Sequence, residues 1–440
     1  MSHASPSNPT AILWDWDQTD LADVVNEMRR LLSSPTQLTA IRHFRLRGVR
    51  AAQDLHASLL AENLTTSEKA AIKSWIRQSN LPSERSAPIL QEPEVSLAHA
   101  TAILLSRLSG LRSLELQTFD RDDDDEWTQS RPPGDPLLSL LSQLLISSSG
   151  SGSSFNGIES IKVLVPTTPA EDSGSELDYY VYAENVAPFF YLPQIRSLEL
   201  HRVEDGGKLI DWPASRPSPT ATTLEELVLS KCQFSEKSFD QLLRASPNLK
   251  TLRCEFVIDA EYATAWLDLS LLRDSLSTLK ASLEELSFVL TLWTSTAIDC
   301  GELGPWGIRG SFGSLKDLSR LTRLSISLPV LLGWKTEGSS KLEDVLPDGL
   351  QALTITNEMF FWWHYRWDDL DWEDDDPVVP MWASLETKIT EYLKSRPQHL
   401  KELRLEISTV GEEERAESLK ARLVASGGDA GVEVTVVLKP

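Results

Sequence analysis

Cysteine is scarce: three residues in 440, Cys232, Cys254 and Cys300. That is too few for a disulfide framework, so reduced thiols in the cytoplasm or nucleus are expected. Positive charge is short as well. Forty-two Lys and Arg face 65 Asp and Glu, a formal net charge of −23. Phosphate recognition needs clustered Lys and Arg, so the balance argues against nucleic acid and against an anionic membrane surface. No apolar run approaches the ~20 residues that span a bilayer. No window near Met1 shows the basic-then-apolar layout of a signal peptide.

Recognisable catalytic and metal-binding patterns are missing too. The seven histidines, His3, His43, His56, His99, His201, His364 and His399, are scattered. None forms H-E-x-x-H or stands at zinc spacing from a cysteine. There is no Walker A lysine motif, no G-x-G-x-x-G and no G-x-S-x-G. The acidic runs Asp120–Glu126 and Asp368–Asp376 lack the glycine and spacing of a calcium loop and read as solvated loops. No metal, no cofactor and no enzymatic activity are expected.

Apolar residues make up 41% of the chain, enough for a packed interior. The most informative stretch is 224–257. Leu224, Leu227, Leu229, Cys232 and Phe234 fill the spacing L-x-x-L-x-L-x-x-N/C-x-L. Leu227 and Leu229 alternate with polar neighbours, which predicts a short strand with one buried face. A side chain at Cys232 can bond exposed turn backbone. Ser235 is placed to cap a helix carrying Phe239, Leu242 and Leu243 on one face. Pro247 ends that helix, and Leu249, Leu252 and Cys254 begin the spacing again.

The same triplet recurs along the chain at Ile41/Phe44/Leu46, Leu111/Leu114/Leu116, Ile158/Ile161/Val163, Ile195/Leu198/Leu200, Leu283/Leu286/Phe288, Leu321/Leu324/Ile326, Leu350/Leu353/Ile355 and Leu400/Leu403/Leu405. Any one copy arises by chance in a Leu-rich chain; nine or ten in order do not. The expected fold is α/β: an irregular leucine-rich-repeat solenoid, a horseshoe with a parallel concave sheet. Residues 1–10 read as disordered, 11–109 as a helical N-terminal cap with the first repeat, and 110–440 as the repeats. Ala11–Trp16 suits a strand, and Leu21–Leu32 an amphipathic helix. Thr65 and Glu68 suit a capping box, Ser96–Leu108 a helix, and Val432, Val434 and Val436 a closing edge strand. Insertions stretch the spacing: a flexible Ser/Gly loop at 147–157, a Pro/Ser/Thr-rich strip at 211–223 and an aromatic–acidic insert at 358–382.

Residues between the core leucines should face outward on the concave side: Ser113, Glu115, Ser197, Glu199, Glu226, Val228, Thr251, Arg253, Glu285, Ser287, Arg323, Ser325, Thr354, Glu402 and Arg404. Of these, Glu199, Glu226, Arg253, Glu285 and Arg323 are the candidate partner-binding residues. A second candidate contact is the insert, with Trp362, Trp363, Tyr365, Trp367 and Trp372. Aromatics set among acids suit a basic protein partner; folding back to bury them on the solenoid flank is the alternative.

Two resemblances follow. Leu31-Leu-Ser-Ser-Pro35 before Ile41–Leu46, Leu346–Ile355, and Tyr392-Leu-Lys with Leu400–Leu405 resemble the fungal F-box/leucine-rich-repeat proteins, whose solenoid is ribonuclease-inhibitor-like. The resemblance implies a substrate-recognition subunit of a cullin–RING ubiquitin ligase, with an F-box docking the Skp1 adaptor. Met1–Asp20 lacks the Leu-Pro-x-Glu opening and the length of that box, so an F-box-less relative or a shortened form is implied equally. The alternative reading is enzymatic. Ile12–Thr19 resembles the first motif of haloacid-dehalogenase-like phosphatases, which would make Asp15 the nucleophile and Asp17 the acid/base, with magnesium. Here Gln18-Thr19-Asp20 stands where that family continues Gly-Thr-Leu.

Overall fold

A computed structural model of the chain describes residues 10–15, 26–27, 29–31, 35–47, 65–78, 97–117, 136–147, 154–165, 180–213, 216–259, 267–293, 308–333, 338–358, 378–408 and 413–439. The chain divides into two compact units, Met1–Leu224 and Glu225–Pro440. The first holds strands β1 (Ala11–Asp15), β2 (His43–Arg47), β3 (Ser113–Gln117), β4 (Ser160–Leu164) and β5 (Ser197–His201). The second holds β6 (Glu226–Cys232), β7 (Thr251–Asp259), β8 (Glu285–Trp293), β9 (Arg323–Ile326), β10 (Ala352–Ile355), β11 (Glu402–Ser408) and β12 (Glu433–Lys439). Within each unit the pairing is parallel and follows chain order. Parallel neighbours in strict sequence order, each reached by its own crossover, are the strand arrangement of a leucine-rich-repeat solenoid in the α/β class.

The recurring triplet explains the register. In the second unit Leu227, Leu252, Leu286, Leu324, Leu353, Leu403 and Val434 align strand by strand. Two residues on, Cys254, Phe288, Ile326, Ile355, Leu405 and Val436 form the next apolar row. All are buried. A shift of one residue would turn both rows to solvent, so burial of one face fixes the register. The backbone locks each rung onto the last by a shared carbonyl. Lys250 and Thr251 N–H both donate to Glu225 O at 2.9 Å, and Glu284 and Glu285 N–H to Lys250 O at 2.8 and 2.9 Å. In the first unit Arg112 and Ser113 share Arg42 O, and Glu159 and Ser160 share Arg112 O, in the same way.

Behind the strands lie helices α1 (Thr66–Gln78), α2 (Leu97–Leu105), α3 (Pro136–Ser147), α4 (Glu236–Ala245), α5 (Leu269–Leu276), α6 (Val378–Lys394) and α7 (Glu413–Ala430). The repeat over 224–249 folds as its residues dictate. Ser235 Oγ accepts from Ser238 N–H at the start of α4, and Phe239, Leu242 and Leu243 are buried. Cys232 Sγ donates to Ser230 O at 3.5 Å at the end of β6, within the strand rather than to turn backbone as expected. A run of phenylalanines links the crossovers to the strands: Phe239–Phe256 (5.5 Å), Phe256–Phe288 (5.4 Å) and Phe288–Phe312 (4.8 Å).

Residues 11–109 carry α1 and α2 but also two rungs. β1 pairs with β2, Ile12 and Trp14 point inward, and Trp14 packs edge-on against Phe44 at 5.2 Å. The expected helix at Leu21–Leu32 lies mostly outside the described residues, with 26–27 and 29–31 helical. Residues 1–9, the acidic run 121–126, most of the Ser/Gly loop and Cys300 also lie outside them, as does the Glu68 side chain of the capping box. No helix among the described residues is long and apolar enough to cross a membrane.

Candidate functional site: the polar face of the sheet

Alternation along each strand leaves one face of the sheet for solvent. All fifteen residues expected to face outward are half-buried or exposed; none is buried. Parallel pairing at a strand spacing of about 4.8 Å brings their charged heads within reach of the next rung, and several acids there meet bases.

In the second unit Glu285 is the centre of such a ladder. Its Oε1 accepts from Arg253 Nε at 3.0 Å and Nη2 at 2.8 Å, and its Oε2 from Arg323 Nε at 2.7 Å. Arg253 Nη1 also reaches Glu226 Oε1 at 3.4 Å. Burial works to raise the Glu285 carboxyl, but the hydrogen bonds and charge of both arginines outweigh it and hold the group below the usual carboxylate range. Further along, Glu406 pairs with Lys439 at 2.6 Å and Arg404 at 3.6 Å.

The first unit repeats the scheme. Glu199 Oε1 lies 2.6 Å from Lys162 Nζ and 2.8 Å from His201 Nε2. Burial again pushes the Glu199 carboxyl up, and the hydrogen bonds and charges of His201 and Lys162 together hold it down. Glu115 takes Arg45 at 3.1 Å and Arg47 on its other oxygen. The structure therefore joins four of the five candidate face residues, Glu226, Arg253, Glu285 and Arg323, into one network, and places Glu199 in a separate one. Sequence reasoning missed the cross-rung partners Arg45, Lys162 and Glu406, and His201, which meets Glu199 along one strand. Alternation flags each as outward, but only the register shows which acid meets which base.

The aromatic candidates Trp362, Trp363, Tyr365, Trp367 and Trp372 lie outside the described residues. Trp382, at the far end of the insert, is buried on α6. Asp15 ends β1, and Asp17 lies outside the described residues. Ligand sites of open parallel sheets form where the strand order reverses; β1 to β5 run in chain order with no reversal. Cys232 and Cys254 are buried and carry no disulfide; burial pushes the Cys254 thiol well up, and Cys232 beside it adds to the rise. Among the described residues no three His, Cys, Asp or Glu side chains converge as metal ligands.

One open cleft of about 820 Å³ lies in the first unit, between the 3-10 helix Ala187–Tyr191 and the strip 216–223. Tyr191 Oη donates to Pro217 O at 2.9 Å. The Arg216 guanidinium lies 5.2 Å from the centre of the Tyr191 ring and donates to Leu145 O at 3.1 Å and to Ile146 O, in the last turn of α3. Trp212 meets Phe190 and Tyr191 edge-on at 5.9 and 6.4 Å.

No protein-family model matches the chain, and no curated protein matches it.

Proposed function

We propose that the chain is a non-catalytic protein-interaction scaffold whose partner docks on the polar face of the sheet. One observation carries this reading: fifteen outward residues line the polar face, and within each unit its acids pair with neighbouring bases, Glu285 with Arg253 and Arg323 and Glu199 with Lys162. A patterned face of this kind suits recognition by charge complementarity, which selects partners and fixes their register more than it adds raw affinity. The second proposed contact is the aromatic–acidic insert with Trp362, Trp363, Tyr365, Trp367 and Trp372. The likeness of Leu31–Leu46, Leu346–Ile355 and Tyr392–Leu405 to F-box/leucine-rich-repeat proteins supports a narrower version. In it the partner is a substrate of a cullin–RING ubiquitin ligase, and Skp1 is a second partner unless that contact has been lost. Reduced cysteines fit a cytoplasmic or nuclear setting.

The test is an inversion of the ladder. Glu226→Arg, Arg253→Glu, Glu285→Arg and Arg323→Glu, made together, keep unlike charges adjacent while reversing the displayed pattern. Affinity purification should recover a partner with the parent chain and lose it with the inverted one, both showing the same circular dichroism. Removal of residues 360–376 separates the insert from the face, and Skp1 in the parent sample supports the ligase version. A partner held equally by the parent, inverted and deleted chains, or no partner at all, overturns the reading.

A further inference from the structure

We propose that Ser218 is a phosphorylation site for a proline-directed Ser/Thr kinase, and that its phosphate draws Arg216 away from the C-terminal end of α3. Two Ser-Pro dipeptides and no Thr-Pro fall within the described residues, Ser218-Pro219 and Ser246-Pro247. They differ in the property a kinase needs. Ser246 is fully buried, follows α4 as its C-cap, and donates its hydroxyl to Leu242 O at 3.0 Å. Ser218 is exposed, in a stretch that is neither helix nor strand. It stands between two prolines. Pro217 fixes its own φ, and Pro219 pushes the residue before it into the extended region. The strip is pinned on both sides of the serine: Tyr191 holds Pro217 O, and Pro219 is buried. The hydroxyl is thus displayed on an extended, anchored chain.

The surroundings say what the modification does. Ser218 lines the open 820 Å³ cleft, so a phosphoryl group has room. Arg216 lines the same cleft. The two residues are two apart in the chain and line the same cleft, so the long Arg216 side chain is within reach of a phosphate on Ser218. Its present partners are two neutral carbonyls in the last turn of α3 and the Tyr191 ring. A phosphate brings about −1.5 to −2 charges and can take Arg in a bidentate pair, adding an attraction of opposite full charges that the neutral carbonyls lack. The C-terminal end of a helix repels that anion once the cation has left. The strip then loses its tie to α3. In the covalent step the Ser218 hydroxyl oxygen bonds to the γ-phosphorus of ATP as the β,γ-bridging P–O bond breaks. ADP leaves, and the hydroxyl proton passes to the kinase's base.

The experiment uses the full chain, ATP and a proline-directed kinase, with sites located by peptide mapping. Mapping is needed because Ser5, Ser34 and Thr168, each before a proline, lie outside the described residues. Phosphate is expected on Ser218, none on Ser246, and none at 218 in Ser218→Ala. Hydrogen exchange of amides 216–224 should then quicken several-fold. Unmodified Arg216→Ala should show the same quickening, with no further change on phosphorylation. An unmodified Ser218 in a folded chain whose denatured form is modified there overturns the proposal. So does a phosphorylated chain with unchanged exchange, or an Arg216→Ala chain that responds to phosphate as the parent does.

Discussion

Glu285→Gln tests whether the charge ladder ties neighbouring rungs together. The parent carboxylate accepts from two arginines at 2.7 to 3.0 Å. Its side chain is 17% exposed, whereas Arg253 and Arg323 are 50% and 59% exposed. Half-solvated guanidinium groups keep much of their hydration, so each pair contributes about 0.5–1 kcal/mol, the range of well-formed surface pairs. Loss of both predicts ~1–2 kcal/mol, or roughly 5–30-fold in the local opening equilibrium. Hydrogen exchange of the 251–259, 285–293 and 323–326 amides reads that equilibrium rung by rung. The sign with pH follows from the lowered carboxyl. Its stabilisation is complete above the ordinary Glu value of about 4.3 and is lost as pH falls through the lower folded-state value. The parent and the variant should therefore differ at pH 7, converge in acid, and differ less in 1 M salt. Equal exchange at pH 7 would refute the ladder as a stabilising device. So would a change as large at β12 as at β8, because coupling through ion pairs is local.

Three further outcomes are expected. Gly427→Ala in α7 should destabilise the second unit by about 1–3 kcal/mol, because an added Cβ would stand 2.9 Å from Val432 O and from Val434 Cβ; Gly428→Ala next to it meets nothing within 4 Å and should stabilise by about 0.5–1 kcal/mol in urea titrations. Glu358 has one carboxyl oxygen fully buried and without a hydrogen-bond partner, and burial raises its pKa, with the Glu406 charge adding to the rise; its stability is complete below the ordinary Glu value and is lost as pH climbs through the raised one, so Glu358→Gln should gain on the parent in thermal melts from pH 4.5 to pH 8. Leu252→Ala removes a fully buried side chain between Leu227 and Leu286 and should cost about 2–5 kcal/mol in the same titrations.

What the sequence made legible was whatever repeats. Leu227 and Leu229 alternate with polar residues, so the strand, its buried face and its neighbours follow from period two alone. Ser235, Phe239 and Pro247 mark a helix by local chemistry, and α4 begins and ends there. β1 was harder, because Ile12-Leu-Trp-Asp15 reads both as a strand and as a phosphatase motif. The strand settles the placement of its side chains: Ile12 and Trp14 go inward, while Leu13 is 58% exposed. Contacts between rungs were not legible. Arg253 meets Glu285 from 32 residues away, and nothing in either segment names the other until the register is known. The cleft is a product of two non-repeating segments, 187–193 and 216–223, and no periodicity points to it.

The ladder also bears on where a basic partner would find the chain's acidity. On the sheet face, acids and bases sit on adjacent rungs and cancel: Glu115 with Arg45 and Arg47, Glu199 with Lys162, Glu285 with Arg253 and Arg323, Glu406 with Lys439. A net charge of −23 cannot come from such a balanced surface. Much of it comes from the inserts, where Asp122–Glu126 and Asp368–Asp376 run without a single Lys or Arg. Long-range attraction falls with salt over a Debye length of about 8 Å at physiological strength, whereas paired charges at contact are screened less. The two proposed contacts therefore predict different salt behaviour. A partner held by the insert should be captured several-fold less well between 50 and 500 mM salt, and one held by the face should change little. Capture through the face that collapses with salt would mean that the ladder opens to receive its partner, and the rung-to-rung pairing would then be a feature of the free protein alone.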